Sequence, residues 1–129
     1  MKNILLDTHS FIWWIEDSPR LSTLAKKIVE NLDNNCFFSL ASCWELAIKS
    51  SMGRIKLTLP IRDFIPQHLA ANDFKQLSIS FRHVARVGSL DFHHRDPFDR
   101  LLAAQALEEK MLILSMDTIF DHYGVERIW

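Results

Sequence analysis

"NILLD", residues 3–7, is a short apolar run that ends on a carboxylate, and the helical pattern of "HSFIWWIEDSP" follows it at once. An unbroken apolar run of this length reads as a buried strand. The pattern after it reads as a helix stopped by Ser18 and Pro19. The same alternation continues along the chain. A helix fits "STLAKKIVENL" from Ser22, with Leu24, Ala25, Ile28, Val29 and Leu32 on one face and Asn34 and Asn35 breaking the pattern, and "CFFSL" follows as a strand. A further helix runs from Ala41 until Gly53 offers a C-terminal stop, and the link "RIKLTLP" leads to a helix over "IRDFIPQHLAAND" that Pro66 is expected to kink or divide. "FKQLSIS" reads as the next strand, "FRHVARVGSL" as a helix ending near Gly88, and "DFHHRDP" as a loop. Then come a long helix from Phe98 to Lys110, the strand "MLILS", a short helix over "TIFDHYG" and the terminal strand "VERIW". Strands alternating with helices predict an α/β fold: a parallel sheet of about five strands with helices on both faces.

The bulk properties agree. A chain of 129 residues with 48% hydrophobic content suits one domain, residues 1–129, with a core of its own. No apolar run, "FIWWI" included, is long enough for a membrane span, and "MKNILLDTHS" reaches a carboxylate before any signal-peptide core; a soluble cytoplasmic protein is expected. Cys36 and Cys43 lack metal-ligand spacing and read as reduced core thiols. The formal net charge of -1 argues against gripping nucleic acid by bulk charge. It leaves room for a local cationic rim, for which Arg82, His83, Arg86, His93, His94, Arg95 and Arg100 are the densest stretch. A merely solvated helix and loop explains that stretch equally well.

In an open parallel sheet the functional crevice lies beyond the carboxyl ends of the strands. Asp7 ends the first strand, Glu45 lies early in the helix after the second, Asp99 opens the long helix before the fourth, and Asp117 lies just beyond the fourth. All four carboxylates therefore face one edge. Helix capping accounts for each singly: Ser42 and Glu45 have capping-box spacing, and Asp117 can cap the helix after it. The convergence of four is more than capping requires. Clustered carboxylates repel one another unless a cation neutralises them, and oxygen ligands without cysteine or paired histidine select Mg²⁺ or Mn²⁺ over Zn²⁺. Such a site suits phosphodiester hydrolysis with water as the nucleophile. No nucleophile elbow, phosphate loop or zinc motif supports another chemistry.

The segments "LLDTHSFIWW", "SLASCWELAIK", "HRDPFDRLLAAQA" and "LILSMDTIFDHYG" resemble the four acidic segments of PIN-domain ribonucleases, and most closely those of VapC-type toxins of bacterial toxin–antitoxin pairs. The resemblance spans Met1 to Trp129, with the motifs in order. It implies a PIN fold in which Asp7, Glu45, Asp99 and Asp117 bind Mg²⁺ or Mn²⁺ and a metal-activated water cleaves RNA, often a structured RNA such as tRNA. Thr8 matches the small hydroxyl residue after the first aspartate, and Ser115 the one before the last. Asp96 belongs to the "DPFDR" form of the motif, as a helix cap or outer-shell group. The resemblance also implies a homodimer held in check by an antitoxin.

The remaining assignments stay two-sided. "FIWWI" is apolar all round its helix, so Trp13 and Trp14 are candidates for a dimer or antitoxin contact, against the alternative that both fill the core. Lys49 can hold Glu45, meet substrate phosphate, or make an ordinary surface ion pair. Arg100 can touch RNA or pair with a neighbouring acid. A dehalogenase-like phosphatase would need a second aspartate two residues after Asp7, where this chain has His9. A non-enzymatic alternative is a catalytically silent PIN-like module that binds RNA or protein.

Overall fold

Side chains alternate across the central strands, and the two faces they create organise everything else. In the computed structural model, which describes residues 2–93 and 95–129, β1 (Asn3–Leu6) points Ile4 and Leu6 into one hydrophobic core and Leu5 into another. β4 (Leu112–Leu114) divides likewise, with Leu114 on the first side and Ile113 on the second. These strands, with β2 (Asn35–Ser39), β3 (Lys75–Leu77) and β5 (Arg127–Ile128), make one sheet in the order β3-β2-β1-β4-β5. Every pairing is parallel, and β1 is central, with Leu5 opposite Phe37 on one side and Ile113 on the other.

The first core receives Phe11 and Ile12 from α1 (Thr8–Ile15), Ala25 and Val29 from α2 (Thr23–Glu30), Leu46 from α3 (Leu40–Ser51), and Phe64, Ile65 and Leu69 from α4 (Ile61–Asn72). Phe11 stacks on Phe38 with ring centroids 3.9 Å apart. The second core is closed by Leu102, Ala103 and Ala106 of α6 (Pro97–Glu109) and by Phe120 and Tyr123 of the 3₁₀ helix Thr118–Tyr123. α5 (Phe81–Ser89) packs on α6. The expected five-stranded α/β layering is therefore present. Among the described residues no helix is long and apolar enough to cross a membrane.

Two local expectations change and one holds. α4 is one helix through Pro66. The ring removes one backbone donor, but the buried Phe64, Ile65 and Leu69 on both sides of it hold the helix against the sheet. α5 ends at Ser89, near Gly88 as expected. α3 starts at Leu40, capped by Ser39, rather than through a Ser42–Glu45 box. Ser42 is fully buried and, among the described residues, its hydroxyl has no hydrogen-bond partner.

Candidate functional site

The strand order places a topological switch point at β1 and β4, where the chain has built outward to β3 on one side and to β5 on the other. Asp7 stands at the carboxyl end of β1 on this seam. Its backbone N–H donates to Leu114 O at 3.2 Å, extending the β1–β4 ladder by one step before α1 begins. As the N-cap of α1, its Oδ1 accepts from Ser10 N at 2.8 Å. Its Oδ2 accepts from Ser115 Oγ at 2.5 Å, and Ser115 Oγ in turn accepts from Asp117 N at 3.0 Å. One serine thus ties the end of β1 to the segment after β4. Asp7 is 7% exposed, and burial raises its carboxyl above the usual 3.8, against the opposing pull of the Ser10 and Ser115 hydrogen bonds and of nearby His9.

Thr8 carries the constellation to α3. Its hydroxyl donates to Glu45 Oε1 at 2.6 Å, and Lys49 Nζ donates to Glu45 Oε2 at 2.7 Å from one turn further along. Lys49 therefore holds a buried carboxylate. Asp117 is exposed and caps the 3₁₀ helix, accepting from Ile119 N at 3.0 Å. Asp96 caps α6, accepting from Phe98 N at 2.9 Å with Pro97 at the first helical position, and Asp99 lies half-buried in the first turn. The "DPFD" motif at the head of α6 accordingly splits its roles: Asp96 starts the helix and Asp99 rides on it.

Asp7 and Asp117 line one pocket of about 360 Å³ with His9, Trp13, Met116 and Thr118. An adjoining pocket of about 300 Å³ is lined by Thr8, His9, Lys49 and Arg54 among others, so His9 borders both. Among the described residues, no three Asp, Glu, His or Cys side chains stand close enough to hold a metal ion by themselves. The donor chemistry nevertheless fits a hard cation. Mg²⁺ keeps several waters and needs only one or two carboxylates, and Asp7, whose burial opposes its charge, is the group that a cation would relieve most.

Of the two readings of the cationic stretch, ion pairing and burial favour the smaller rim. Arg82 pairs with Glu109 at 3.4 Å and Arg86 with Glu108 at 3.0 Å, while His83 is 2% exposed and completes a capping box with Ser80. His93 and Arg95 are exposed, and His94 lies outside the described residues. Arg100 donates to the carbonyls of Val87 and Asp91 and to Tyr123 Oη, and lies over the Phe92 ring; it braces the loop before α6 rather than pairing with an acid.

Trp13 and Trp14 are half-buried against the first core. Trp13 meets Trp129 edge to face at 5.8 Å, and Trp14 Nε1 donates to Asn72 Oδ1 at 3.0 Å. Both cysteines are free and pack with that core, and burial pushes each thiol up to about 11.

Sequence reasoning missed Ser10, Ser39 and Gln105. Ser10 Oγ donates to Leu114 O at 2.9 Å, fastening α1 to β4. Ser39 Oγ donates to the fully buried Gln105 at 2.5 Å while accepting from Ala41 N, so one contact fixes the head of α3 against the C-terminal half of α6. The available signal was Gln105 itself, an amide set among the alanines and leucines of "LLAAQAL".

The family model for the PIN domain matches residues 4–126. Ribonuclease VapC22 of Mycobacterium tuberculosis is 30% identical over 118 residues, which cover 91% of this chain and 88% of that protein. The DNA-bound VapBC structure from Salmonella typhimurium superposes with a TM-score of 0.72 at 16% identity, covering 99% of this chain and 98% of that one. VapBC2 from Rickettsia felis, bound to a DNA fragment from its promoter, superposes with a TM-score of 0.71 at 14% identity, covering 98% and 97%. At such identities the structural likenesses speak for the fold. With the family model spanning almost its whole length and a VapC relative aligned along nine-tenths of it, the chain belongs to the PIN-domain family, in its VapC group.

Proposed function

We propose that this protein is a Mg²⁺- or Mn²⁺-dependent endoribonuclease, the toxin of a toxin–antitoxin pair, which hydrolyses phosphodiester bonds of tRNA or another structured RNA. The observation that carries this reading is Asp7, buried at the switch point, bridged through Ser115 to the Asp117 segment and sharing one pocket with it. The ribonuclease named among its relatives and the toxin–antitoxin complexes of the same fold support the assignment.

Asp7 and Asp117 would hold the cation, with Glu45 and Asp99 flanking it. When bound, the cation supplies charge neutralisation at the scissile phosphate and a water of lowered pKa. The chain's own residues supply position. Ser10 N and Ser115 Oγ fix both oxygens of Asp7, so that carboxylate is oriented before any ligand arrives. Thr8 and Lys49 orient Glu45 in the same way, and Lys49 keeps a third of its side chain exposed, within reach of an entering phosphate. A homodimer neutralised by an antitoxin completes the proposal. The half-exposed faces of Trp13, which lines the pocket, and of Trp14 are the contact surfaces offered.

Cleavage of total cellular RNA by purified, antitoxin-free protein, with Mg²⁺ or Mn²⁺ and with chelator, tests the reading. Discrete metal-dependent fragments that vanish in Asp7→Asn and Asp99→Asn are expected. Either ion should also raise the melting temperature, with Asp99→Asn blunting the rise. A folded wild type that ignores both ions and leaves RNA intact would reduce the protein to a binding module.

A further inference from the structure

Trp44 and Phe98 form an edge-to-face pair across α3 and α6, with ring centroids 5.0 Å apart and planes at 81°. Each stands one residue before a candidate carboxylate, Trp44 before Glu45 and Phe98 before Asp99. Trp44 is 58% exposed and belongs to neither hydrophobic core, as Phe81 and Phe92 do not, but of the three it alone, among the described residues, is braced by a second ring across two helices. Its indole N–H donates to no acceptor among the described residues, so core packing and hydrogen bonding leave this tryptophan unexplained. The edge-to-face contact limits its rotamers, and the Ser39–Gln105 bond ties together the two helices that carry it. What results is a braced aromatic surface on the two helices that carry Glu45 and Asp99.

Two cations lie near it along the chain. Lys49 lies on α3 just beyond Glu45, and Arg95 is exposed immediately before α6. An aromatic face flanked by cations suits an unpaired nucleotide, whose base stacks while its phosphate meets the charge. A paired base in an A-form helix keeps its faces covered and cannot use the indole. We propose that Trp44, backed by Phe98, is a specificity-determining platform that stacks an unpaired nucleobase beside the scissile bond and directs cleavage to loops and single strands. The inference rests on the ribonuclease reading above and deepens it.

The test is binding by the Asp7→Asn protein in Mg²⁺ buffer, read by anisotropy with a mixed-sequence single-stranded oligoribonucleotide and with the same sequence as a duplex. Single-strand binding should be the tighter and should quench tryptophan fluorescence. Adding Trp44→Ala should weaken it by roughly 5- to 100-fold, the range for loss of one base–aromatic stack, and change duplex binding by less than about twofold. Trp44→Phe should restore most of the loss, and Phe98→Leu should reproduce part of it. Melting and elution profiles of all variants should match the parent. Equal losses on both RNAs, no loss, no RNA binding at all, or a switch from dimer to monomer on Trp44→Ala would each overturn the platform; the last would make this face a contact between copies. Because binding is measured without turnover, a wild type that cleaves nothing would refute the nuclease reading and with it the direction of cleavage, while base stacking on Trp44 is still decided by the binding data.

Discussion

Thr8→Val isolates the contact that joins the two halves of the site. Valine keeps the branched shape and nearly the volume of threonine and removes only the hydroxyl, which donates to Glu45 Oε1 at 2.6 Å between two residues that are each 5% exposed. A hydrogen bond to a charged, buried acceptor contributes about 1.5–3 kcal/mol. Glu45 would keep Lys49 at 2.7 Å, and Lys49 is 33% exposed and can follow the carboxylate as it relaxes. The expected cost therefore lies at the lower end, about 1.5–2 kcal/mol. For a domain of this length that lowers the melting temperature by about 5–10 °C. Urea unfolding followed by far-UV circular dichroism gives the free energy directly. In a Glu45→Gln background the acceptor is neutral and the hydrogen bond roughly half as strong, so the same substitution should cost about 0.5–1 kcal/mol there. The double-mutant cycle should then return a coupling of about 1 kcal/mol. A loss under about 0.5 kcal/mol, or one equal in both backgrounds, would show that Thr8 does not support an ionised Glu45.

Asp7→Asn should stabilise the metal-free protein at neutral pH. Burial raises the Asp7 carboxyl above 3.8, so the folded state holds this proton more tightly than the unfolded chain does. The associated stability is complete below 3.8 and is lost as pH rises through the folded-state value. Urea midpoints in chelator should accordingly favour the asparagine variant near pH 7 and converge with wild type toward pH 4, and a pH-independent difference would refute the account. Cys36 and Cys43, with thiols pushed up to about 11, should label slowly at pH 8, where roughly one thiol in a thousand is ionised, and faster in urea. Gly124, at φ +76 with nothing within 4 Å of an added Cβ, should lose about 1–2 kcal/mol on substitution by alanine. Gly88→Ala, at an exposed helical position equally open, should gain about 0.5–1 kcal/mol, so equal effects of the two substitutions in urea unfolding would contradict the backbone argument.

The order of strands and helices was legible in the sequence because each element is written in a short window. "NILLD" carries its apolar run and terminal carboxylate in consecutive residues, and "DPFD" carries its own cap, preset φ and first-turn acid. The same windows placed Asp7, Glu45, Asp99 and Asp117 at one edge, since a parallel sheet sends every strand's carboxyl end the same way. Local patterns misled where packing outweighs them. Pro66 marks a break by propensity, yet α4 runs through it because its apolar side chains are buried on both sides. Ser42 and Glu45 have capping-box spacing, yet Ser39 caps α3 and Glu45 turns to Thr8 and Lys49.

What the sequence by itself determined is therefore the alternation of strands and helices and the sheet edge at which the proposed site lies. Only the tertiary structure decided that β4 lies beside β1, that Ser115 reaches Asp7 across 108 positions and Thr8 reaches Glu45 across 37, and that Trp44 meets Phe98. Those pairings leave no mark in any local window. They form because both faces of β1 must be covered at once, and the helices that cover them bring distant residues to the same seam.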